Sequence, residues 1–167
     1  MSRAVLGLGA NLGDRAGNLR AALEALGRLP GTRVEAVSSV WQTAPFDVPD
    51  RQQDYWNVCV SLETALSPHA LLGACLGVEA ALGRVRRMYH GARVIDIDLL
   101  LYDGAAFAEK ELTVPHPGVL QRAFVLFPLR ELFPEQRACG LNFADAPGFA
   151  DADGVLCLGP AEAVLQI

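Results

Sequence analysis

No apolar run in this chain approaches the ~20 residues that a membrane-spanning helix needs. The N-terminal MSRAVLGLGANLGDR breaks into glycines and charges too early for a signal peptide. Cysteine is sparse and dispersed, at Cys59, Cys75, Cys139 and Cys157, with no CxxC pair. That pattern excludes a paired-cysteine metal ribbon and predicts reduced, mostly packed thiols in a cytoplasmic protein. Three scattered histidines, His69, His90 and His116, make no zinc pattern. Positive charge is also short: the net charge of −5 sets aside general nucleic-acid binding. Lysine is almost missing, since Lys110 is the single lysine among 14 basic residues.

The other basic residues are arginines, and four of them, Arg84, Arg86, Arg87 and Arg93, fall within ten positions. They lead directly into RVIDIDLLLYDG (93–104), a buried-strand pattern that carries two aspartates, Asp96 and Asp98. Residues two apart on a strand share a face, which puts the two Cβ atoms about 6–7 Å apart. At an effective dielectric of about 20 their repulsion is about 2.5 kcal/mol, so the pair calls for a partner.

At 167 residues the chain suits one domain spanning 1–167. Strands are expected at 4–9, 33–43, 57–64 and 94–101, and helices at 18–29 and from Pro68, after a Ser67 cap, to about residue 82. The order is β-α-β-β-α-β, a ferredoxin-like α/β (α+β) pattern with both helices on one face of an antiparallel sheet. Beyond it, 111–116 reads as the return arm of a hairpin, and 119–132 as a helix that Pro128 ends or kinks. Residues 134–167 carry no clear period and stay largely unassigned.

Two carboxylates on one strand face can hold one or two Mg²⁺ ions, with phosphate oxygens completing the shell. Alternatively they form an acidic stripe neutralised by arginines. The arginine cluster beside them suits bidentate phosphate binding, and otherwise a solvated basic loop. The connection 43–56 holds Pro45, Phe46, Tyr55 and Trp56, and Asn57 follows it. A ring and a carboxamide suit a flat heteroaromatic ligand, unless these side chains tuck into the core. GLGANLG (7–13) matches neither dinucleotide nor Walker spacing and reads as a tight strand-to-helix turn.

GLGANLGDR, SSVWQTAPF, DYWNVCVSLET, GRVR, GARVIDIDLLLYDG and LTVPHPGVLQRAFVLFPL together resemble the 6-hydroxymethyl-7,8-dihydropterin pyrophosphokinases of folate biosynthesis, in the same order from about residue 5 to 133. The resemblance implies a ferredoxin-like fold and transfer of pyrophosphate from ATP to the pterin hydroxymethyl oxygen, releasing AMP. It makes Asp96 and Asp98 the ligands of two magnesium ions that come with ATP. Arg93 matches the catalytic-loop arginine, and Arg84 and Arg86 match a segment reaching the triphosphate. Arg84 and Arg93 would join the two aspartates as catalytic residues. Glu79, His116 and Arg122 match positions on the ATP side. Tyr55 and Phe124 match the rings that sandwich the pterin, Asn57 its hydrogen-bonding carboxamide, and Thr43, Ala44, Pro45 and Phe46 the loop that closes over it.

Two departures stand out. Phe46-Asp47 occupies a place where the family usually has a glycine, and Tyr89-His90-Gly91-Ala92 precedes Arg93 where Gly-Pro is common. Other enzymes with DxD on a strand, the nucleotidyl- and glycosyl-transferases, remain a rival reading, as do a non-catalytic ligand-binding domain and an interaction module. With no stripe or heptad in the sequence, a monomer is expected, with no nucleic-acid or membrane partner.

Overall fold

The computed structural model describes residues 1–45, 50–85 and 91–167. The elements run β1 (Ser2–Ala10), α1 (Arg15–Gly27), β2 (Thr32–Val37), β3 (Val40–Thr43), β4 (Tyr55–Thr64), α2 (Pro68–Ala81), β5 (Asp96–Tyr102), β6 (Phe107–Ala108), β7 (Thr113–Val114) and α3 (Ala123–Leu132). They continue with β8 (Arg137–Ala138), β9 (Leu141–Asn142), a 3₁₀ segment (Pro147–Gly154), β10 (Val155–Gly159) and α4 (Ala161–Val164).

Strand alternation decides which layer each residue joins. On β1 the even positions Ala4, Leu6, Leu8 and Ala10 are buried with Leu19, Leu23 and Leu26 of α1 and Leu71, Cys75 and Val78 of α2. Both helices therefore cover one face, as the β-α-β-β-α-β reading expects. Each starts on a side-chain cap: Asp14 accepts from Gly17 N, and Ser67 from Ala70 N. The odd face carries Val5, Cys59 and Leu100, which pack with Val125, Leu126 and Leu129 of α3. The sheet order is β10-β3-β4-β1-β5, with β2 also on β4, and these neighbours all pair antiparallel. This is the ferredoxin-like arrangement, extended by C-terminal elements.

The expected strand 33–43 is two strands. Ser38 N donates to Cys59 O at 2.9 Å, and Ser38 Oγ accepts from Cys59 N at 2.9 Å. A hydroxyl thus takes one rung of the ladder, and β2 and β3 line up one after the other along β4. Tyr55 and Trp56 open β4 instead of closing the preceding loop. The helix expected from 119 begins at Ala123, after turns in which Val119 and Gln121 donate to His116 O and Gly118 O. It runs through Pro128 to Leu132. A mid-helix proline costs about 3 kcal/mol. Buried Val125, Leu126 and Leu129 on either side contribute about 1.5–3 kcal/mol each, enough to hold the helix through it.

The unassigned C-terminus adds a two-residue hairpin turning at Cys139 and Gly140, both at positive φ, and then β10 on the free edge of β3. Among the described residues no helix is long and apolar enough to cross a membrane.

Candidate active site

The face turned toward α3 holds a cavity of about 290 Å³. Its floor is set by register. Gly9 lies across from Asp96 on one side and Asn57 on the other, and Gly7 lies between Asp98 and Cys59. A Cβ at Gly9 would sit 3.1 Å from Asn57 Oδ1, and one at Gly7 3.3 Å from Leu100 Cδ1. Two glycines in a central strand leave a trough where side chains would stand. The expected turn role of this stretch belongs to Gly13 alone, at φ +73°. Gly7 and Gly9 lie inside β1.

One end of the trough is charged. Asp96 accepts from Arg84 Nη1 at 2.7 Å through Oδ1 and from Arg93 Nη1 at 2.9 Å through Oδ2. Arg84 Nη1 also lies 2.6 Å from Glu79 Oε1, and that same oxygen accepts from Ile97 N at 2.8 Å. Glu79 is buried at the end of α2; it does not line the cavity, but it holds Arg84 and the start of β5. Burial, ahead of the Asp96 charge, holds its carboxyl above the ordinary range.

Asp98 is less well partnered, with Arg122 Nη1 at 3.9 Å. Burial first, and Asp96 second, push its pKa up to about 6. His116 lies beside the cavity without lining it; its Nδ1 accepts from Gly118 N at 3.0 Å and its N–H donates to Leu100 O at 2.8 Å. Burial and the neighbouring Arg122 lower its pKa.

The other end is polar and aromatic. Thr43, Ala44, Tyr55 and Asn57 line it from the end of β3 and from β4, Asp96 and Asp98 line the charged end from β5, and Arg93, Arg122 and Phe124 complete the lining, with the Arg122 guanidinium 5.8 Å from the Phe124 ring centre. Burial raises the pKa of Tyr55. Arg84 and Pro45 are not among the lining residues. Phe46 and Arg86 lie outside the described residues.

Asn11, which the sequence patterns do not single out, is buried between Arg93 on one side and Gln52 and Gln53 on the other. Its Oδ1 accepts from Arg93 N at 2.8 Å, and its Nδ2 donates to Gln52 Oε1 at 2.9 Å and Gln53 O at 3.2 Å. Asn11 N and Leu12 N both donate to Arg93 O. One carboxamide thus ties the ends of both connections to the floor strand.

Residues 5–134 match the family model of the 7,8-dihydro-6-hydroxymethylpterin-pyrophosphokinases. The chain belongs to that family. A 2-amino-4-hydroxy-6-hydroxymethyldihydropteridine pyrophosphokinase of Methylorubrum extorquens is 46% identical over 156 residues, 93% of this chain and 98% of the relative. The protein of the same description from Synechocystis is 41% identical over 132 residues, 79% of this chain and 67% of the relative. A wild-type Plasmodium falciparum HPPK-DHPS structure with pterin and p-hydroxybenzoate superposes with a TM-score of 0.61 at 14% identity. The match covers 99% of this chain and 41% of that one, and at that identity it speaks for the fold alone. Membership makes the chain a pyrophosphokinase of folate biosynthesis, which passes pyrophosphate from ATP to 6-hydroxymethyl-7,8-dihydropterin. The nucleotidyl- and glycosyl-transferase and interaction-module readings fall away.

Proposed function

We propose that the charged end of the cavity takes the magnesium triphosphate and the polar end the pterin, so that the trough floored by Gly7 and Gly9 carries the line of transfer. The observation behind this reading is that Asp96, Asp98, Arg93 and Arg122 meet Thr43, Asn57, Tyr55 and Phe124 around one cavity. The donor set suits magnesium: two carboxylates on one strand face supply hard oxygen ligands and leave room for phosphate oxygens and water. Asp96 and Asp98 would hold the two ions. When bound, they would withdraw charge from the triphosphate and favour in-line attack at the β-phosphorus.

The chain's own residues do the rest. Arg84 and Arg93, which both reach Asp96, are the cations that would meet the phosphates, with Arg86 as a third. Arg122 and His116 bound the ATP side, and Glu79 keeps Arg84 in place. Tyr55 and Phe124 flank the pterin ring, and Asn57 accepts from it. Ala44, Pro45 and Phe46 close over it. No strong base is needed for a loose transition state, so catalysis rests on placement and charge stabilisation. The loops at 43–56 and 83–92 exclude water, since ATP hydrolysis is the competing reaction. We place the enzyme in the cytoplasm as a single-domain monomer over 1–167, with no nucleic-acid or membrane partner.

The test is AMP formation from ATP and Mg²⁺ with and without 6-hydroxymethyl-7,8-dihydropterin. AMP that appears only with the pterin, and not when EDTA is present, supports the reading. No AMP from folded protein, or AMP that ignores the pterin, overturns it.

A further inference from the structure

Two glycines sit against Arg122 and the turn that carries it. That turn, from His116 into α3, is tied along its length. Gly118 N donates to His116 Nδ1 at 3.0 Å, Val119 N to His116 O at 3.0 Å and Gln121 N to Gly118 O at 3.1 Å. Arg122 O accepts from Val125 N and Leu126 N, both at 3.0 Å, as α3 begins. From the other side Gly148 of the 3₁₀ segment closes the turn: it is buried, and its N–H donates to Leu120 O at 2.9 Å. A Cβ there would lie 2.6 Å from the carbonyl carbon of Gln121, so backbone meets backbone without a gap.

Gly118 differs in what it touches. A Cβ on it would lie 2.6 Å from Arg122 Nε, 2.9 Å from Cζ and 3.1 Å from Cδ, and these are its three nearest atoms. The Arg122 guanidinium therefore rests on the bare backbone of Gly118, with its Cζ 5.8 Å from the Phe124 ring centre. From there Nη1 stands 3.9 Å from Asp98 Oδ2, while the side chain stays 42% exposed. A half-exposed arginine on a flexible stem holds no single position by charge alone, because solvent screens the pair.

We propose that Gly118 is a positioning residue for the transfer: its missing side chain is a seat that holds the Arg122 guanidinium beside Asp98, where it meets the phosphate chain of the nucleotide. The hydrogen bonds of the turn and the Gly148 contact keep the backbone in place. A side chain at 118 therefore displaces Arg122 and leaves the turn. A charged group misplaced by about 1 Å can cost up to about 100-fold in rate. The inference rests on Arg122 serving the ATP side of the cavity.

The experiment is steady-state kinetics with ATP, Mg²⁺ and 6-hydroxymethyl-7,8-dihydropterin on wild type, Gly118→Ala, Arg122→Ala and the double variant. Gly73→Ala, on α2 where a Cβ meets nothing within 4 Å, controls for glycine replacement itself. Circular dichroism melting curves control for folding. Gly118→Ala should melt within about 2 °C of wild type, because only the movable end of a side chain stands in its way. Its kcat/KM for ATP should fall about tenfold, and the KM of the pterin should change far less. In the Arg122→Ala background the same substitution should cost nothing further, because the group it displaces is gone. Gly73→Ala should match wild type throughout.

Equal losses from Gly118→Ala in both backgrounds would mean that the turn moves and not Arg122, and would overturn the proposal. So would a Gly118→Ala protein with wild-type kinetics, or one that melts many degrees lower. Arg122→Ala with wild-type kinetics would take Arg122 off the ATP side, and the seat would fall with that reading. An impaired Arg122→Ala beside an unaffected Gly118→Ala would spare the reading and sink the seat alone.

Discussion

The two ends of the cavity are finished to different degrees. At the charged end, Asp96 already has two arginines, and Arg84 a second carboxylate, Glu79. At the polar end, Asn57 is locked by two bonds and its Oδ1 waits without a donor among the described residues. On the assignment proposed above, the polar end is prepared for the pterin ring, while at the charged end Asp96 would trade its arginines for magnesium. Preorganisation suits recognition of a rigid ring. Exchange suits a substrate that brings its own cations, because two carboxylates side by side on β5 would otherwise repel each other.

The largest expected effect breaks the charged end outright. Asp96→Asn or Asp98→Asn should lower turnover about 10³-fold or more while the far-ultraviolet spectrum stays native, since each removes a charge the magnesium triphosphate requires. Retention of most activity in either variant would remove the aspartates from the mechanism. Arg93→Ala comes next, at about 10²-fold in kcat, for the loss of one positioned cation in the transition state. It also sharpens the comparison: with one competitor for Asp96 gone, magnesium without nucleotide should bind more tightly, measured by titration calorimetry. Unchanged magnesium affinity would argue against partner exchange.

Gly9→Ala probes the boundary between the two ends. The added methyl would sit 3.1 Å from Asn57 Oδ1, tight enough that the amide must give by a few tenths of an ångström. The expected result is a pterin KM several-fold higher, with ATP affinity close to wild type. If ATP affinity fell equally, the floor would serve both ligands alike.

How much of this was legible beforehand follows from what signals the residues emit. Asp96 and Asp98 stood out because charge in an apolar strand is anomalous, and alternation assigned them a common face. The core order was readable from the patterns of β1, β4 and β5 and from the cap Ser67. Gly7 and Gly9 fell in the expected strand 4–9, but their role as a floor was not legible, because a residue without a side chain has no alternation to display; only pairing to Asp96, Asp98 and Asn57 shows what they leave open. Asn11 was invisible because its partners lie 41 and 82 residues away. Edge strand β10 was missed because it is covered on so little of its surface that Leu156 and Cys157 stay exposed. The break at Ser38 was missed because a hydroxyl replaces a backbone rung there.

The smallest effect separates stability from function at the charged end. Asp98 has a pKa raised to about 6, burial being the main cause and Asp96 the second. Its ordinary value is near 3.8, so the folded ligand-free protein holds a proton there that the unfolded chain has released. Between about pH 4 and 6 the folded state binds more protons, so this group's contribution to stability is fully present below that window and is lost as pH rises through about 6. Asp98→Asn is neutral throughout. Above pH 6 the ligand-free variant should melt at a higher temperature than wild type, and the difference should shrink as pH falls toward 4. With ATP and Mg²⁺ the order should reverse, because only wild type gains stability from the bound cation. Melting curves at pH 5 and 7.5, with and without the ligands, give both signs. A variant less stable than wild type in the ligand-free state at pH 7.5 would mean that Arg122, 3.9 Å away, already compensates Asp98, and the contrast between the finished and unfinished carboxylates would not hold.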